Sequence, residues 1–550
     1  MYELIKEILK RSLIEITAIF VLSISLIIII GRYFPELKIY YNILYLFAVA
    51  LSLEVIFIKY FKLKASLDRE LLFYIAYLYS LSFSTSNIKR LFELSVEERE
   101  NFKEINSYIN IIIKLVKKYN YTIPEAIRFT LPYIPKSNFK SFMERLATSI
   151  DIGEDMSEFL YKEYQRELTV YDANYKKGLE NTRLLQDLII SLSSSLAFTF
   201  SLILFIPFLL EINPYILLVN FLIIFVTINL IIYYVSKYFI PEDNLWTSSK
   251  EKPREYMVIR NYFIIIVTLS YILFLILLFV AGLPLLPSFA IAITPLTYVS
   301  YRIINLEKIL KTKEKYFPSF FVSVVEYSEI FGSNQTKILN NVVVHDFGLL
   351  NEDIEKLRKR ITITKNYSES WKYFISELGS RLAEKIIKVF EKVLEYNGDT
   401  KNAGDMLYNT LIKMIELRSR KEQFISNLRG IIYGTFIAFA SIMFVMLQII
   451  FSMNQMFQGV STALSSASIS YIGVTFYTLN IPPIILVNFV YIIVIIQAFV
   501  LSLVIKNVDG GSKFGMFLDL TILLWISALL DVGIFYFFTK ILSGLSLVKL

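Results

Sequence analysis

Residues 429–452 read RGIIYGTFIAFASIMFVMLQIIFS, a stretch in which the only charged side chain is that of Arg429. About 20 apolar helical residues are enough to cross the roughly 30 Å hydrocarbon layer of a bilayer, so this stretch predicts a transmembrane helix. The residues just before it, 302–428, are rich in charge and place apolar side chains three or four apart, as water-exposed helices do. A charged helical segment that leads directly into an apolar span predicts a membrane protein with a helical domain outside the bilayer.

Eight further stretches are also long and apolar enough to span a bilayer. They are 13–30, 40–58, 186–210, 215–236, 261–281, 284–301, 484–505 and 515–538. The overall content of 55% hydrophobic and 19% charged residues is thus an average over apolar spans and charged blocks. We predict an all-α, polytopic membrane protein with about nine transmembrane helices and two duplicated cytoplasmic helical bundles.

The spans and blocks divide the chain into five segments. They are a two-helix membrane segment (1–58), a first helical block (59–185), membrane helices three to six with a linker at 237–260 (186–301), a second helical block (302–428) and membrane helices seven to nine with an outer loop at 453–483 (429–550).

Basic residues predict the orientation, since Lys and Arg are enriched in cytoplasmic loops. With the N-terminus inside, 52 of the 56 Lys and Arg residues fall on the cytoplasmic side, including five in the linker 237–260. The loop 453–483 carries no charge. We therefore predict a multi-pass protein of the cell membrane with both blocks and the N-terminus in the cytoplasm and the C-terminus outside. Whether 453–483 is exposed, re-entrant or membrane-bound stays open.

Both blocks are predicted to be helical bundles. Thr122-Ile-Pro-Glu125 is a capping box that starts a helix. Ser137 and Ser157, with Ser319 and Ser368 in the second block, are the other predicted helix starts. Gly153 and Gly398 are predicted to end helices at corresponding turns. The blocks enter the membrane at 186 and 429, and helix order recurs between them, which predicts an internal duplication.

Several classes of chemistry are disfavoured by composition. The chain has no cysteine, one histidine (His345) and no phosphate-binding loop of the Gly-x-x-x-x-Gly-Lys-Ser/Thr type. We predict that it is not an enzyme and has no metal or cofactor, with His345 in a structural or capping role. The net charge of +8 is spread over nearly balanced blocks, so a nucleic-acid partner is not expected either.

Acidic residues within predicted spans are candidate functional residues, because a charge at mid-bilayer costs at least about 2.5–3.5 kcal/mol. These are Glu54, Asp519 and Asp531. They could form interhelical hydrogen bonds, contact the charged N-terminus of a filament subunit or belong to a proton pathway. Asp531 needs a partner, either Thr539 or a residue of another span.

Two basic clusters are candidate docking sites for an acidic partner. The first is Lys356, Arg358, Lys359 and Arg360, and the second is Arg418, Arg420 and Lys421. Electrostatic complementarity would steer such a partner. Exposure to solvent or to phospholipid is the alternative interpretation of both clusters.

The layout resembles that of the archaeal branch of the F-domain family, the platform proteins of type II secretion and type IV pilus systems. The resembling residues are 68–78, 124–129 and 142–153 in the first block, 315–322, 347–350 and 390–398 in the second block, and Gly510-Gly511 before the last span. The resemblance covers about 60–540. One departure is the stretch 82–86, which lacks the glycine that the family usually has there.

This resemblance implies a function without catalysis. A platform of this kind docks a hexameric secretion ATPase and couples its strokes to the insertion of pilin-like or archaellin-like subunits into a filament. Membrane lipids and a second copy of the chain, in a homodimer, are further expected partners. The residues do not distinguish an archaellum from an adhesive pilus.

Two other classes of membrane protein are alternatives to the platform. A secondary transporter would have polar residues along several spans and discontinuous helices, and Pro284, Pro287 and Pro295 do interrupt one span. It leaves the two large blocks unexplained. A lipid-linked transferase would need acidic outer loops, where only Glu36 and Glu211 occur.

Overall fold

The computed structural model describes residues 63–64, 66–83, 87–97, 102–210, 212–238, 244–247, 253–396, 398–466 and 481–546. Over these residues the protein is helical, and its helices are numbered α1 to α17 in chain order. The predicted all-α polytopic fold is confirmed for this part of the chain. The predicted spans 13–30 and 40–58 lie outside the described residues.

The first block contains six helices, of which the last continues into the membrane. They are α1 (66–82), α2 (Ile88–Glu97), α3 (Lys103–Tyr119), α4 (Ile123–Thr130), α5 (Asn138–Ile152) and α6 (Met156–Leu209). The last charged residue of α6 is Asp187. At 1.5 Å per residue, about 45 Å of α6 therefore precede its apolar half.

Three membrane helices follow the first block. They are α7 (Pro214–Tyr238), α8 (Arg254–Leu275), which continues as a π-helical turn (Ile276–Val280), and α9 (Leu285–Ile293). Helix α9 is bent by 43° against the next helix, at a break between Ile293 and Leu296. Pro295 lies at this break, where it lacks the N–H that a continuous helix requires.

The second block again contains six helices and ends in a long one. They are α10 (Leu296–Phe331), α11 (Gln335–Val342), α12 (Asn351–Thr364), α13 (Tyr367–Leu378), α14 (Arg381–Glu395) and α15 (Thr400–Ser466). Two membrane helices complete the described chain, α16 (Pro483–Asp509) and α17 (Met516–Ser546).

Some helix starts agree with the sequence and others do not. The Thr122–Glu125 capping box is present, and Ser137 caps α5. Two caps differ: Asp155 caps α6 in place of Ser157, and Asn366 caps α13 in place of Ser368. The predicted start at Ser319 is wrong, because α10 runs unbroken from the membrane through Pro318 into the second block.

The predicted duplication agrees with the observed helix order, since α1–α6 and α10–α15 follow the same sequence of short and long helices. The turns that follow α3 and α12 support the equivalence of the two blocks. Asn120 ends α3 and Lys365 ends α12, each with a left-handed backbone (φ 56° and 51°) that non-glycine residues seldom adopt. Directly after them, Thr122 and Asn366 cap the next helices by accepting hydrogen bonds from backbone amides.

Both blocks contribute to one apolar core, which we call the distal core. Its aromatic members include Tyr74, Phe139, Phe142, Phe317, Phe320 and Phe390. Tyr164 of α6 joins the blocks directly. Its hydroxyl donates to the carbonyl of Met406 at 3.1 Å and lies 2.9 Å from the Thr410 hydroxyl, both on α15. The two blocks therefore form one unit on one side of the apolar helices.

The membrane helices surround a second apolar core, the membrane core. Its aromatic members include Phe200, Phe221, Phe225, Phe436, Phe439 and Phe444. Equivalent helices pack on one another, α6 on α15 and α7 on α16. In the described chain six helices can cross a membrane, and the bent α9–α10 pair makes a seventh if it counts as one span. These match the seven spans predicted after residue 185.

Helix α15 is longer than predicted. It continues past residue 452 to Ser466, so the first part of the predicted outer loop 453–483 is helical. The uncharged part of α15 from Gly430 onward measures about 55 Å, which exceeds the roughly 30 Å hydrocarbon layer. Residues 467–480 lie outside the described part.

Candidate functional site at the junction of the blocks and the membrane helices

Glu307, near the start of α10, is the centre of a buried polar network. Its carboxylate accepts hydrogen bonds from Lys506 Nζ at 3.0 Å, from the Ser512 amide at 2.5 Å and from Trp246 Nε1 at 3.2 Å. Lys506 also binds Asp509 at 2.7 Å. Glu307 and Lys506 are only 4% and 5% exposed. A buried pair with this many hydrogen bonds is costly to break, because removing one partner leaves the other charge uncompensated.

The Glu307 network joins three distant segments of the chain: the first part of α10 with Glu307 itself, the linker between α7 and α8, and the connection between α16 and α17. Trp246 belongs to the linker between α7 and α8, and Lys506 lies at the end of α16. Ser512 belongs to the turn between α16 and α17. Each segment directly adjoins a membrane helix. The three connections therefore meet at the same face of the membrane core, where the second block begins.

Two glycines make room for the network. Gly510 ends α16 with φ +76°, a left-handed conformation that glycine adopts without a steric penalty. A Cβ on Gly511 would lie within 2.6 Å of Glu307 Oε2 and Lys506 Nζ. The Gly510-Gly511 turn is thus required by the close approach of its backbone to the buried ion pair.

Aromatic rings cover the network on the membrane side. The ring of Trp246 lies 4.9 Å from that of Tyr256, and Phe263 lies 4.6 Å from Phe514. The hydroxyl of Ser300 donates to the carbonyl of Phe514 at 2.6 Å. Rings at such distances exclude water and strengthen the electrostatic interactions beside them.

The linker also binds the second block directly. The Thr247 amide donates to the Gly379 carbonyl at 2.7 Å, and the Arg381 amide donates to the Leu245 carbonyl at 3.0 Å. The Thr247 hydroxyl donates to Glu384 Oε2 at 2.8 Å. The connection between α7 and α8 is therefore held against the turn between α13 and α14.

The predicted basic cluster 418–421 lies partly inside this junction. Arg418 donates to both carboxylate oxygens of Glu314 at 2.7 Å, and Lys421 is 3% exposed. Both residues line a cavity of about 100 Å³ beside Glu307. Arg420 points outward and pairs with Glu416 at 2.8 Å.

The other basic cluster lies on α12 and is paired with acids. Lys356 binds Glu352 at 2.7 Å, and Arg360 binds Glu377 at 2.5 Å. Arg358 and Lys359 share Glu355, at 2.6 and 3.6 Å. The Arg358 hydrogen bond lowers the pKa of Glu355 to about 2. The surface of α12 is therefore nearly neutral in charge where the sequence suggests a basic patch.

Two of the three predicted intramembrane acids are described, and both have tyrosine partners. Tyr433 donates to Asp519 at 2.5 Å, and Arg429 lies 3.3 Å from the same carboxylate. Tyr491 of α16 donates to Asp531 at 2.6 Å. The partner of Asp531 thus comes from another span, as one of the two alternatives predicted. Glu54 lies outside the described residues.

The predicted turn glycines and the single histidine have structural contacts. Gly153 ends α5 with φ +76°. The Gly398 amide donates to the Val393 carbonyl at 2.9 Å, which caps the end of α14. His345 Nε2 lies 3.0 Å from the exposed hydroxyl of Tyr327.

Sequence reasoning missed the residues at the centre of the site. Trp246 and Lys506 fall in short connections next to predicted spans, and Glu307 lies at the start of the predicted second block, so the sequence shows only separate charges and an isolated ring. One signal was available: Lys506 and Asp509 directly follow an apolar run, and Gly510-Gly511 follows them. That arrangement indicates a tight turn with two charges to be satisfied.

Comparison with known proteins gives the family. The architecture is that of a multi-pass helical membrane protein in which two helical blocks each feed a membrane hairpin. The chain belongs to the flagella accessory protein J family. It is 30% identical to flagella accessory protein J of Methanocaldococcus jannaschii over 480 residues, which cover 85% of this chain and 84% of the relative.

A second relative supports the same assignment. Flagella accessory protein J of Methanococcus voltae is 26% identical over 484 residues, 85% of each chain. No family model matches the chain, and no solved structure matches it. The predicted resemblance is supported in part: the relatives are flagella accessory proteins, whereas no family model supports the F domain as such.

Proposed function

We propose that this protein is the membrane platform of an archaellum assembly machine. In this role it docks a cytoplasmic ATPase, which we call the motor, and couples the strokes of the motor to the insertion of pilin-like subunits. The name of its relatives, flagella accessory protein, favours a motility filament over an adhesive pilus. Membrane lipids and a second copy of the chain complete the proposed partners.

The Glu307 network is the observation that carries this proposal. A platform must transmit displacement from its water-exposed blocks to the helices that face the filament subunits. In this chain the start of α10, the linker after α7 and the turn after α16 all bind one buried carboxylate. A shift of the second block would therefore move several membrane helices together.

The proposed orientation has the N-terminus and both blocks in the cytoplasm and the C-terminus outside. The basic connections 237–260, 302–428 and 506–513 should then share the inner face. The hydrogen bonds that Trp246 and Lys506 donate to Glu307 support this grouping, because they join residues from all three connections.

A transporter is the second candidate, favoured by the break between α9 and α10. Discontinuous helices of transporters surround a polar binding site near mid-bilayer. The described membrane core is instead filled by rings such as Phe200, Phe221 and Phe225, with Phe200 and Phe221 5.2 Å apart. The platform explains both the packed core and the large blocks.

Deletion of the gene tests the proposal. Cells without it should lack archaella in electron micrographs, and the wild-type gene should restore them. Filaments at normal number in the deletion strain, together with loss of uptake of a solute, would favour the transporter.

A further inference from the structure

An exposed aromatic cluster occupies the far end of the first block. Tyr121, Phe129 and Tyr133 are 39%, 50% and 43% exposed. Their rings contact one another, with centroids 6.1 Å apart for Tyr121 and Phe129 and 6.3 Å apart for Phe129 and Tyr133. Three touching aromatic side chains that face solvent form a continuous apolar surface, unlike single exposed apolar residues, which need no explanation.

Ile152 extends this surface. It is 77% exposed and is the last residue of α5. Arg128 of α4 is hydrogen-bonded to Asp151, so Ile152 lies next to the helix that carries Phe129. We call the surface formed by Tyr121, Phe129, Tyr133 and Ile152 the aromatic tip.

The aromatic tip is far from the membrane. Helix α6 begins at Met156, shortly after Ile152, and its last charged residue is Asp187. About 45 Å of helix therefore separate the tip from the apolar half of α6. Lipid cannot cover an apolar surface at this distance, so a protein partner is the occupant that would remove it from water.

Two basic residues flank the aromatic tip in the sequence, Lys118 three residues before Tyr121 and Lys136 three residues after Tyr133. Lys118 and Lys136 are exposed and form no ion pair with another described residue, whereas Arg128 is bound by Asp151. Apolar interface centres with a charged rim are typical of specific protein contacts. The complementary partner therefore offers an apolar pocket with carboxylates around it.

The second block has a different surface at the equivalent position. Tyr373 is the seventh residue of α13, as Phe129 is of α4. The guanidinium of Arg360 lies 5.3 Å from the Tyr373 ring, and Glu377 binds this guanidinium in turn. Tyr373 is also 42% exposed, but its ring packs against Arg360 and not against other exposed rings, so the duplicated blocks differ at this position.

We propose that the aromatic tip of the first block is the surface on which the motor docks, through an apolar pocket with an acidic rim. This inference rests on the proposed function and makes it more specific. It assigns docking to the first block rather than to the basic residues of α12, whose charges are already paired within the protein.

Binding of the purified motor to the full-length protein in nanodiscs tests the proposal. A variant with Tyr121→Ser, Phe129→Ser and Tyr133→Ser should bind at least about tenfold more weakly, since buried aromatic residues dominate interface energies. The charge variant Lys118→Glu with Lys136→Glu should also bind more weakly, most clearly at low salt. The matched control, Ile363→Ser with Tyr373→Ser on the second block, should bind within about twofold of wild type.

The possible outcomes separate the inference from the proposed function. If wild type binds and the triple variant binds equally well, the aromatic tip is not the docking surface and the proposed function stands. If the triple variant changes only self-association, the tip contacts a second copy and the inference is likewise overturned. If wild type fails to bind the motor, both the inference and the proposed function are overturned.

Because the substituted side chains are exposed, melting temperatures close to that of wild type are expected and serve as the folding control.

Discussion

Glu307 is the residue on which the junction depends. Because it is 4% exposed and binds Lys506, its removal leaves a buried ammonium with Asp509 as its remaining acidic partner. Glu307→Ala should lower the free energy of unfolding by about 3–5 kcal/mol. The exposed Glu326 on the same helix is the matched control, and its replacement by Ala should change stability by less than about 0.5 kcal/mol. Denaturation of both variants in nanodiscs measures the difference, and equal stabilities would contradict the role given to the network.

Glu70 gives a pH-dependent prediction. It lies in a cavity of about 210 Å³ between α1 and α14, and its Oε2 has no hydrogen-bond partner in the described structure. Burial raises its pKa from 4.5 to about 7, although Lys385 opposes the shift. The folded state therefore disfavours the ionised form, and the stability present below pH 4.5 is lost as the pH rises through 7.

Glu70→Gln removes this loss because the amide does not ionise. The variant should be more stable than wild type at pH 8, by roughly 1–3 kcal/mol, and similar to it at pH 4.5. Glu355 is the opposite control, because its pKa is lowered to about 2 whereas that of Glu70 is raised. Glu355→Gln should slightly lower the melting temperature at pH 8, because the folded state favours the ionised form of Glu355. A Glu70→Gln curve parallel to wild type at every pH would show that Glu70 titrates normally.

At the residue scale, the sequence indicates which groups need partners but not which partners they find. Asp519 and Asp531 are recognisable because they interrupt apolar runs. Their tyrosine partners are not, since Tyr433 lies 86 residues from Asp519 and tyrosine is common in this chain. Lys506 and Glu307 are 199 residues apart, and only the fold brings them together.

At the scale of helices, local signals place four of the five predicted helix starts within two residues but miss the continuity of α10. The Thr122–Glu125 capping box and the Gly153 terminus are set by neighbouring residues, so the sequence predicts them. From the local sequence alone, Pro318 suggests that a helix starts next to it. In the fold it is buried within α10 beside Phe317, and packing in the distal core keeps the helix continuous.

The close approach of α10 and α15 gives a prediction for these two helices. A Cβ on Gly404 of α15 would lie within 2.6 Å of Val325 Cγ2, so Gly404→Ala should force the helices apart at a cost of about 1–3 kcal/mol. Gly434 lies on the same helix with open space around it. Gly434→Ala should leave stability unchanged or raise it by up to about 1 kcal/mol, because alanine favours helix. Melting temperatures of the two variants test this, and equal effects would contradict the close contact.

At the scale of the whole molecule, the architecture agrees with the predicted duplication. The sequence predicts it because each charged block leads into an apolar span, and the equivalent turns at Asn120 and Lys365 agree with it. The sequence does not predict that the two blocks share a single core. Tyr164 and Thr410 form that contact, and neither stands out in its own helix. Apolar length predicts nine spans, and the described part of the chain contains six helices that can cross a membrane, or seven if the bent α9–α10 pair counts as one span.

Sidedness can be measured directly, since the chain contains no cysteine and each introduced cysteine is unique. Ile363 on α12 and Met456 on α15 are 80% and 69% exposed. In intact cells a membrane-impermeant maleimide should label Met456→Cys and spare Ile363→Cys. After lysis both should react. The reverse pattern in intact cells would invert the proposed orientation.

The most direct test of coupling through the junction uses Glu307→Gln, which keeps the shape of the side chain and removes its charge. The variant is introduced into a deletion strain, and archaella per cell are counted beside wild type and Glu326→Gln. We expect Glu307→Gln to reach normal levels in the membrane and to bind the motor as wild type does, yet to assemble far fewer filaments. Filaments at wild-type number would show that force does not pass through the Glu307 network.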